Sequence, residues 1–276
     1  MNRFDGYARS ADAIHGIYQF LSRNGVRFLL GSQGSVRQII YKEPGGEALG
    51  LRTADGEFHP AGLVIVAAGA GATKILPASG RQIVAKAWSV AHILLSDEEA
   101  SFLRGIPVTY ARDLAFFFEP DPDTSLLKIC PMGGGYTNTD SETGVSHRPS
   151  PSLKELSELP SEDEERIRKM LAQTLPSLRD RPLVRKSLCW FADTNDSEFV
   201  IDYVPGTEKS VIVLSGDSGH GFKMFPVVGG WIRELLDAGK QEVKRWRWKS
   251  EAKGSGNVSW RLGESREIKD VLPSKL

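Results

Sequence analysis

The sequence predicts a mixed α/β (α+β) fold in which a mainly antiparallel sheet lies between two regions of strand-to-helix turns. An apolar run at 63–68 stops at Gly69-Ala70-Gly71, as expected of a strand that is buried on both faces and then turns into a helix. A second strand pattern, "VIVLS" at 211–215, also ends in a glycine-rich turn followed by a helical pattern. Between them, residues 81–130 carry strand patterns alone, which indicates a separate layer of sheet.

The N-terminal elements follow from periodicity and turn residues. Residues 10–24 form a helical pattern that Gly25 ends. Four apolar residues share one face of this helix: Ile14, Ile17, Tyr18 and Leu21. Three short strand patterns separated by glycine-rich turns follow and predict hairpins or a meander; they read "VRFLLG", "VRQIIYK" and "ALGLRTADG". The buried strand at 63–68 completes this region.

The middle of the chain predicts a sheet and one helix. Four strand patterns occur between residues 81 and 131: "QIVAKAWSVAHILL", "IPVTYA", "LAFFFEP" and "LLKICP". A polar loop at 133–153 precedes a helix at 161–178, whose Ile167, Leu171 and Leu175 fall on one face. Ser161 and Glu164 predict a capping box at its start. Two further strands, "VRKSLCWFAD" and "EFVIDYVPG", lead to the strand at 211–215.

Composition excludes several classes of function. The length of 276 residues is enough for one large domain or two small ones with a core. The hydrophobic content of 40% and the charged content of 25% are ordinary for a globular protein. The formal net charge is zero, so there is no basic field for nucleic acid or an acidic membrane. No apolar run approaches the roughly 18 residues that span a bilayer. The spacings of common metal sites, such as CxxC or HExxH, are absent. We expect no nucleic-acid partner, no membrane and no metal.

The turn after residue 215 favours a ligand. In "GDSGHGFK", Gly216, Gly219 and Gly221 permit positive φ angles and the close approach of another group. A turn of small residues that leads into a helix presents backbone N–H groups to a negative or electron-rich ligand. Lys223 at this position suggests an anionic partner, since the helix dipole does not favour a cation there. A tight turn that binds nothing, with a surface lysine, is the alternative.

Four stretches, in order along the chain, resemble the sarcosine oxidase-like FAD-dependent amine oxidases, in particular the fructosyl amino acid oxidases (amadoriases) and saccharopine oxidases. "LVIVAAGAGATKILP" resembles the second FAD-contacting segment of the family, and "LLKIC" the strand that carries its flavin lysine. "LCWFADTNDSEFVIDYVP" resembles the segment whose first cysteine bonds to the flavin, and "GDSGHGFKMFP" resembles the C-terminal flavin loop. The resemblance covers about residues 5–248.

This resemblance implies a flavoprotein of the D-amino acid oxidase type. Residues 1–80 are then part of an FAD-binding domain, residues 81–180 the substrate domain with its mainly antiparallel sheet, and residues 181–248 a return to the FAD-binding domain. Residues 249–276 are predicted to be a tail. The family's N-terminal strand–GxGxxG–helix, which holds the ADP part of FAD, has no counterpart in the sequence. We therefore expect the remnant of an FAD-binding domain, with weakened FAD binding.

The resemblance also assigns site residues. Lys128 is expected near the flavin N5, where its charge assists the reaction with O₂, and Lys223 is expected to bind the carboxylate of the substrate. Cys189 is expected to bond covalently to the 8α-methyl carbon of the flavin. The remaining predicted FAD contacts are Val36, Gly69, Ala70, Asp217, Ser218, Gly219, His220, Gly221 and Phe222.

The residues themselves leave alternatives open at Lys128 and Cys189. Lys128 lies between apolar residues, and the alternative to a functional lysine there is a lysine on an edge strand. Cys189 has the surroundings of a buried small hydrophobe, which is the usual environment of a lone cysteine. The four histidines outside the glycine loop, His15, His59, His92 and His147, are interpreted as structural.

The predicted reaction is oxidation of the C–N bond of an amino acid or a secondary amine by FAD and O₂, giving an imine and H₂O₂. Met132 stands four residues after Lys128, where relatives that oxidise sugar–amine adducts often carry an acidic residue. A substrate more apolar than a glycated amino acid, or simply a different one, is therefore expected. Two alternatives remain: a tailoring oxidase that forms an iminium on a larger amine, and an inactive remnant that only binds a partner.

The two cysteines and the C-terminus bear on location. Cys130 and Cys189 are too few for a disulfide framework and suggest a reducing compartment. The chain ends in Ser274-Lys275-Leu276, the tripeptide that the peroxisomal import receptor recognises. A frayed polar tail is the alternative. We predict a peroxisomal monomer whose partners are a small amine, O₂ and the import receptor.

Overall fold

The computed structural model describes residues 6–149, 158–249 and 263–272. Its helices are α1 (Ser10–Arg23), α2 (Ala72–Ile75), α3 (Asp97–Phe102), α4 (Ser161–Thr174), α5 (Val228–Ala238) and α6 (Ile268–Val271). Its strands are β1 (Val36–Tyr41), β2 (Ala48–Thr53), β3 (Phe58–Pro60), β4 (Val64–Val66), β5 (Val84–Leu94), β6 (Thr109–Tyr110), β7 (Ala115–Phe117), β8 (Leu126–Pro131), β9 (Tyr136–Thr137), β10 (Val184–Asp193), β11 (Val200–Tyr203), β12 (Val211–Ser215) and β13 (Arg266–Glu267). Within these described ranges, no helix is both long and apolar enough to cross a membrane.

The chain divides into two compact units. Of the described residues, the central unit contains 6–7, 86–149, 158–190 and 263–272. The flanking unit contains residues 8–85 and 191–249, on either side of the central unit in sequence. The divisions between the two units therefore lie at 85/86 and 190/191. The mixed α/β class, with largely antiparallel sheets, is confirmed.

The sheet of the central unit follows the order β13-β9-β5-β8-β7-β6, and β10 also pairs with β5. β5, β6, β7 and β8 pair antiparallel, as their strand patterns predict. α4 packs on this sheet through Ile167 and Leu171, which are fully buried against Ile129. The helix stops at Thr174 because Pro176 starts a short 3₁₀ turn.

Part of the predicted tail belongs to this sheet. β13 pairs parallel with β9, with Arg266 opposite Tyr136 and Glu267 opposite Thr137. The Glu267 carboxylate accepts hydrogen bonds from the Thr137 hydroxyl at 2.7 Å and from the Thr139 amide at 3.0 Å. In the following turn of helix, Ile268 is fully buried. Residues 263–272 are thus a packed part of the central unit.

The flanking unit contains two three-stranded sheets. One has the order β1-β2-β3, and the other the order β11-β12-β4, in which β12 and β4 are parallel. α1 forms where predicted, but Ile14 is 52% exposed and none of its residues is buried. α5 ends at Gly239, whose φ of 64° closes the helix with a left-handed residue.

Three local predictions are wrong. The predicted strand at 26–31 has no strand structure, because alternation provides a pattern but a strand also needs a hydrogen-bonded neighbour. β4 is not buried on both faces: Leu63 is 39% and Ile65 42% exposed, since an apolar run cannot specify what covers its second face. The capping box at Ser161 is absent because Pro160 occupies the N-cap position. A capping box forms instead at Ser96 and Glu99, where α3 begins.

Candidate functional site

Lys128 lies on the face of the central sheet opposite to α4. In the antiparallel pair β5–β8, Ala91 stands opposite Ile129, and both are buried in the core that contains α4. The next pair is His92 opposite Lys128, and since side chains alternate along a strand, these two point away from α4. Lys128 is exposed, whereas its neighbours Leu127 and Ile129 are fully buried. The lysine is therefore an exposed cation at the centre of a buried strand and does not lie on an edge strand.

Cys189 shares this face. Leu188 is buried with Ala87 and Tyr136 on the other side of the sheet, so the next residue of β10, Cys189, points the opposite way. Cys189 is exposed and is not in a disulfide. We call this side the lysine face; it carries His92, Lys128, Cys130 and Cys189. The alternative interpretation of Cys189 as a buried hydrophobe is wrong.

The second cysteine of the lysine face has a different environment. Cys130 is only 7% exposed, and burial raises the pKa of its thiol to about 12, an effect that the nearby charge of Lys128 partly offsets. The Cys130 thiol is thus neutral at physiological pH and is a poor nucleophile. Of the two cysteines on this face, Cys189 is the accessible one.

In the flanking unit, two glycine-containing turns lie at the same edge of one sheet. β4 and β12 are parallel neighbours, with Val64 opposite Val211, so their carboxyl ends lie side by side. β4 leads into Gly69 and Ala70, and β12 leads into the loop 216–223. The Ser215 hydroxyl donates to the Gly69 carbonyl at 3.5 Å, which links the two turns. Ligands of α/β sheets bind at such an edge, beyond the carboxyl ends of parallel strands.

The loop 216–223 is held by its own polar residues. The Asp217 carboxylate accepts hydrogen bonds from the Ala192 amide at 3.2 Å and from the Gly219 amide at 3.0 Å. The Ser218 side chain is fully buried and accepts a hydrogen bond from the Thr194 amide at 3.2 Å. Asp217 and Ser218 therefore shape the loop through contacts with the end of β10 and the residue after it.

The end of the loop presents Lys223. A Cβ atom at Gly221 would lie 2.6 Å from the Cβ of Asp217, so the backbone there approaches too closely for any side chain. The His220 ring packs edge-on against Phe199, with 5.1 Å between centroids. Phe222 and Lys223 lie in a 3₁₀ turn, where Lys223 is exposed.

The predicted site residues thus fall into two groups, each within one unit. Lys128 and Cys189 share the lysine face of the central unit. Gly69, Ala70 and the loop 216–223 share one sheet edge of the flanking unit. Val36 is not part of that edge: it begins β1, where it stands opposite Thr53 in the separate β1-β2-β3 sheet.

A cleft of about 300 Å³ lies in the central unit beside Met132. Its walls include Trp88, Met132, Tyr136, Glu162, Arg166 and Arg266. The arginines are paired with carboxylates: Arg166 donates to Asp163 at 2.9 Å, and Arg266 donates to Glu162 at 2.7 Å. The cleft therefore combines an apolar wall with compensated charges. Among the described residues, no cluster of His, Cys, Asp and Glu is arranged to hold a metal ion.

Sequence reasoning missed this cleft, although Gly133-Gly134-Gly135 carried a signal. A Cβ atom at Gly135 would lie 2.5 Å from the Trp88 ring, and one at Gly134 would lie 2.2 Å from the Glu264 carbonyl. The triplet is thus a site of close approach as well as a loop. The position of Arg266 had no local signal, because it depends on the pairing of β13 with β9.

Comparison with known proteins decides the family. The sequence model of the family described as "FAD dependent oxidoreductase" (DAO) matches residues 2–235. The chain belongs to this family. The family's cofactor is FAD, and the two glycine turns at the carboxyl ends of β4 and β12 fit a flavin nucleotide. Gly69 has a φ of 51° and open space where a Cβ would project, so a ligand can approach its backbone.

Individual relatives are oxidases of amino acids and secondary amines. L-saccharopine oxidase of Schizosaccharomyces pombe is 33% identical over 278 residues, covering 96% of this chain and 63% of that protein. Monomeric sarcosine oxidase of Bacillus sp. is 40% identical over 81 residues, or 29% of this chain and 20% of that protein. The crystal structure of the deglycating enzyme fructosamine oxidase (Amadoriase II) from Aspergillus fumigatus matches with a TM-score of 0.84 and 32% identity, covering 96% of this chain and 64% of that one. The chain thus spans a little under two thirds of the length of the saccharopine oxidase and the fructosamine oxidase that it matches.

Proposed function

We propose that this protein takes part in the oxidation of the C–N bond of an amino acid or a secondary amine, with O₂ as the electron acceptor. The proposal is carried by Lys128, an exposed cation on a buried strand of a chain that belongs to the FAD dependent oxidoreductases. Bound FAD would accept the hydride from the carbon next to nitrogen and pass the electrons to O₂, which yields an imine and H₂O₂.

The chain's own residues have two tasks in this reaction. Lys128 supplies a fixed positive charge where negative charge develops on O₂. Lys223, exposed at the end of the glycine loop, pairs with the carboxylate of the substrate and so orients the reacting carbon. Both tasks require a cation, and neither requires the lysine to exchange a proton with the substrate.

The substrate is proposed to be a small amino acid derivative such as those named by the relatives: saccharopine, sarcosine or a fructosyl amine. Met132 favours the less polar members, because a thioether cannot pair with a cationic or polyhydroxyl group. The charges in the adjacent cleft are already compensated by one another, which leaves the apolar wall as its main recognition element. A larger amine, oxidised to an iminium, is the second candidate, and the same methionine favours it.

The function is tested with FAD-loaded protein, a panel of these amines and a peroxidase-coupled assay for H₂O₂. We expect H₂O₂ formation with at least one amino acid derivative, and Lys223→Met should raise KM more than it lowers kcat because the carboxylate contact aids binding. A colourless protein that binds an amine without H₂O₂ formation would favour the inactive remnant. Oxidation of large amines alone would favour the tailoring oxidase.

A covalent bond between Cys189 and the flavin is a further proposal. The thiol of Cys189 supports it because it is exposed on the lysine face. The other thiol of this face, that of Cys130, is buried and neutral, so it is the poorer candidate for the bond. Acid-precipitated holoprotein should keep its yellow colour, and Cys189→Ala should release the flavin to the supernatant. Cys130→Ala is the matched control and should keep the colour in the pellet. White pellets from the unmodified holoprotein would exclude attachment.

We also propose a peroxisomal monomer. Ser274-Lys275-Leu276 lies outside the described residues, and the proposal rests on the motif, which the import receptor binds. A fusion with a fluorescent protein at its N-terminus should collect in peroxisomes, and removal of Leu276 should leave it in the cytosol. Diffuse fluorescence of the intact fusion would contradict the proposed location.

A further inference from the structure

The C-terminal segment 263–272 forms part of the cleft of the central unit. Three of its residues line this cleft: Gly263, Glu264 and Arg266. The Arg266 amide donates to the Gly135 carbonyl at 3.1 Å, and the Ser265 hydroxyl donates to the Gly134 carbonyl at 2.9 Å. These bonds hold the segment directly against the glycine triplet of the cleft.

The side chain of Arg266 reaches from β13 to α4. Its guanidinium donates to the Glu162 carboxylate at 2.7 Å, and Glu162 stands in the first turn of α4. Both residues line the cleft, so this ion pair is a side-chain bridge between the C-terminal segment and the helix. The two side chains are 47% and 52% exposed, and ion pairs this exposed contribute little to stability. The fold therefore does not depend on the bridge.

The segment has anchors other than the side chain of Arg266. The Glu267 carboxylate accepts hydrogen bonds from Thr137 and Thr139. Ile268 is fully buried and belongs to a hydrophobic cluster of the central unit. Because these contacts and the backbone pairing of β13 remain, removal of the Arg266 side chain should open the cleft and leave the segment docked.

The remaining walls favour a small apolar group. The Trp88 indole donates to the Gly133 carbonyl at 3.0 Å, which holds its ring in place, and Met132 is only 4% exposed. An indole ring and a thioether both contact apolar groups favourably. Pockets for drug-sized ligands have volumes of about 300 to 1,000 Å³, so the cleft of about 300 Å³ is at the lower end of this range.

We propose that Arg266 determines the size of the amine that the cleft admits: its bridge to Glu162 limits the apolar group of the substrate to a small one. This inference deepens the proposed oxidase function and rests on it. The role is one of specificity, since it assigns no proton transfer to either residue. It requires only that the bridge occupies space that a larger apolar group would need, and both of its side chains line the cleft.

The size limit is tested on the FAD-free chain by calorimetric titration with sarcosine and N-benzylglycine, two secondary amines that differ only in the substituent on nitrogen. Arg266→Ala should tighten the binding of N-benzylglycine about tenfold, because more of the benzyl group is buried, and should leave sarcosine within about twofold. Arg266→Lys keeps a cation for Glu162 and should retain the original preference. Asp270→Ala is the matched control: this residue is exposed on α6 and does not line the cleft.

A second variant separates the bridge from a general structural effect. Glu162→Ala removes the other half of the ion pair and should act in the same direction as Arg266→Ala. The double variant should add little to either single change, because both remove the same bridge. A merely structural role would instead weaken the binding of both amines alike.

A kinetic measurement on FAD-loaded protein completes the test. Arg266→Ala should raise the ratio of kcat/KM for N-benzylglycine to that for sarcosine about tenfold, chiefly by lowering KM for N-benzylglycine. Three results would overturn the proposal: equally tight binding of both amines by the unmodified chain, an unchanged preference in Arg266→Ala and Glu162→Ala, or no binding of either amine by any of these proteins. If the binding preference shifts as expected but no amine is oxidised, the size limit stands and the proposed function fails.

Discussion

Replacing Lys128 by methionine is expected to slow the reaction of reduced flavin with O₂ about a hundredfold, which corresponds to ~3 kcal/mol of lost charge stabilisation. A fixed cation has its largest effect on the step in which new negative charge appears, and that step is electron transfer to O₂. Reduction of the flavin by the amine should change much less, because the substrate develops no such charge beside Lys128. Stopped-flow measurement of the two half-reactions separates them.

Two variants serve as controls. Lys128→Arg keeps the charge and should retain most of the oxidation rate. Lys86→Met removes another lysine from the same face of the sheet, so it tests whether any cation of this face has the effect. Equal losses in both half-reactions of Lys128→Met would make the lysine a structural residue.

A second large effect is expected on FAD binding. These 276 residues contain two glycine turns that we propose to hold the flavin end, and they contain no GxGxxG turn for the pyrophosphate. A fragment that carries a strand–GxGxxG–helix from a relative, supplied in trans, should tighten FAD binding about a hundredfold. Two charge-assisted hydrogen bonds to the pyrophosphate, at about 1.5 kcal/mol each, account for this factor. Equilibrium titration of FAD with and without the fragment measures it.

The flanking unit offers a surface for such a fragment. β4 is the last strand in the order β11-β12-β4, and Ile65 within it and Leu63 just before it are 42% and 39% exposed. An exposed apolar edge strand promotes aggregation, so the fragment should also increase solubility. A fragment whose three glycines are replaced by valine is the matched control and should not tighten FAD binding. Stoichiometric, tight FAD binding by the chain alone would contradict the prediction.

The sequence by itself determined most of the helices and strands and the identity of the chemical groups. α1, α4 and α5 follow from 3.6-residue periodicity, and β5, β8 and β12 from apolar strand patterns, which are local properties. Lys128, Cys189 and Lys223 were found because each stands in one of the four stretches that resemble segments of the family, in the family's order. Where local patterns compete, the sequence was less informative: the Ser-x-x-Glu capping pattern occurs at Ser96 as well as at Ser161, and the box formed at Ser96 because that residue immediately precedes its helix.

Only the tertiary structure decided which residues face one another. Strand register brings His92 opposite Lys128, although 36 residues separate them in the sequence. Burial of Leu188 with Ala87 turns Cys189 to the lysine face, and the parallel pairing of β4 with β12 brings the two glycine turns to one edge. Each of these relations depends on hydrogen bonds and packing between segments far apart in the chain. Periodicity within one segment carries no information about its neighbour, and this is why the sequence could name the groups of the site but not their arrangement.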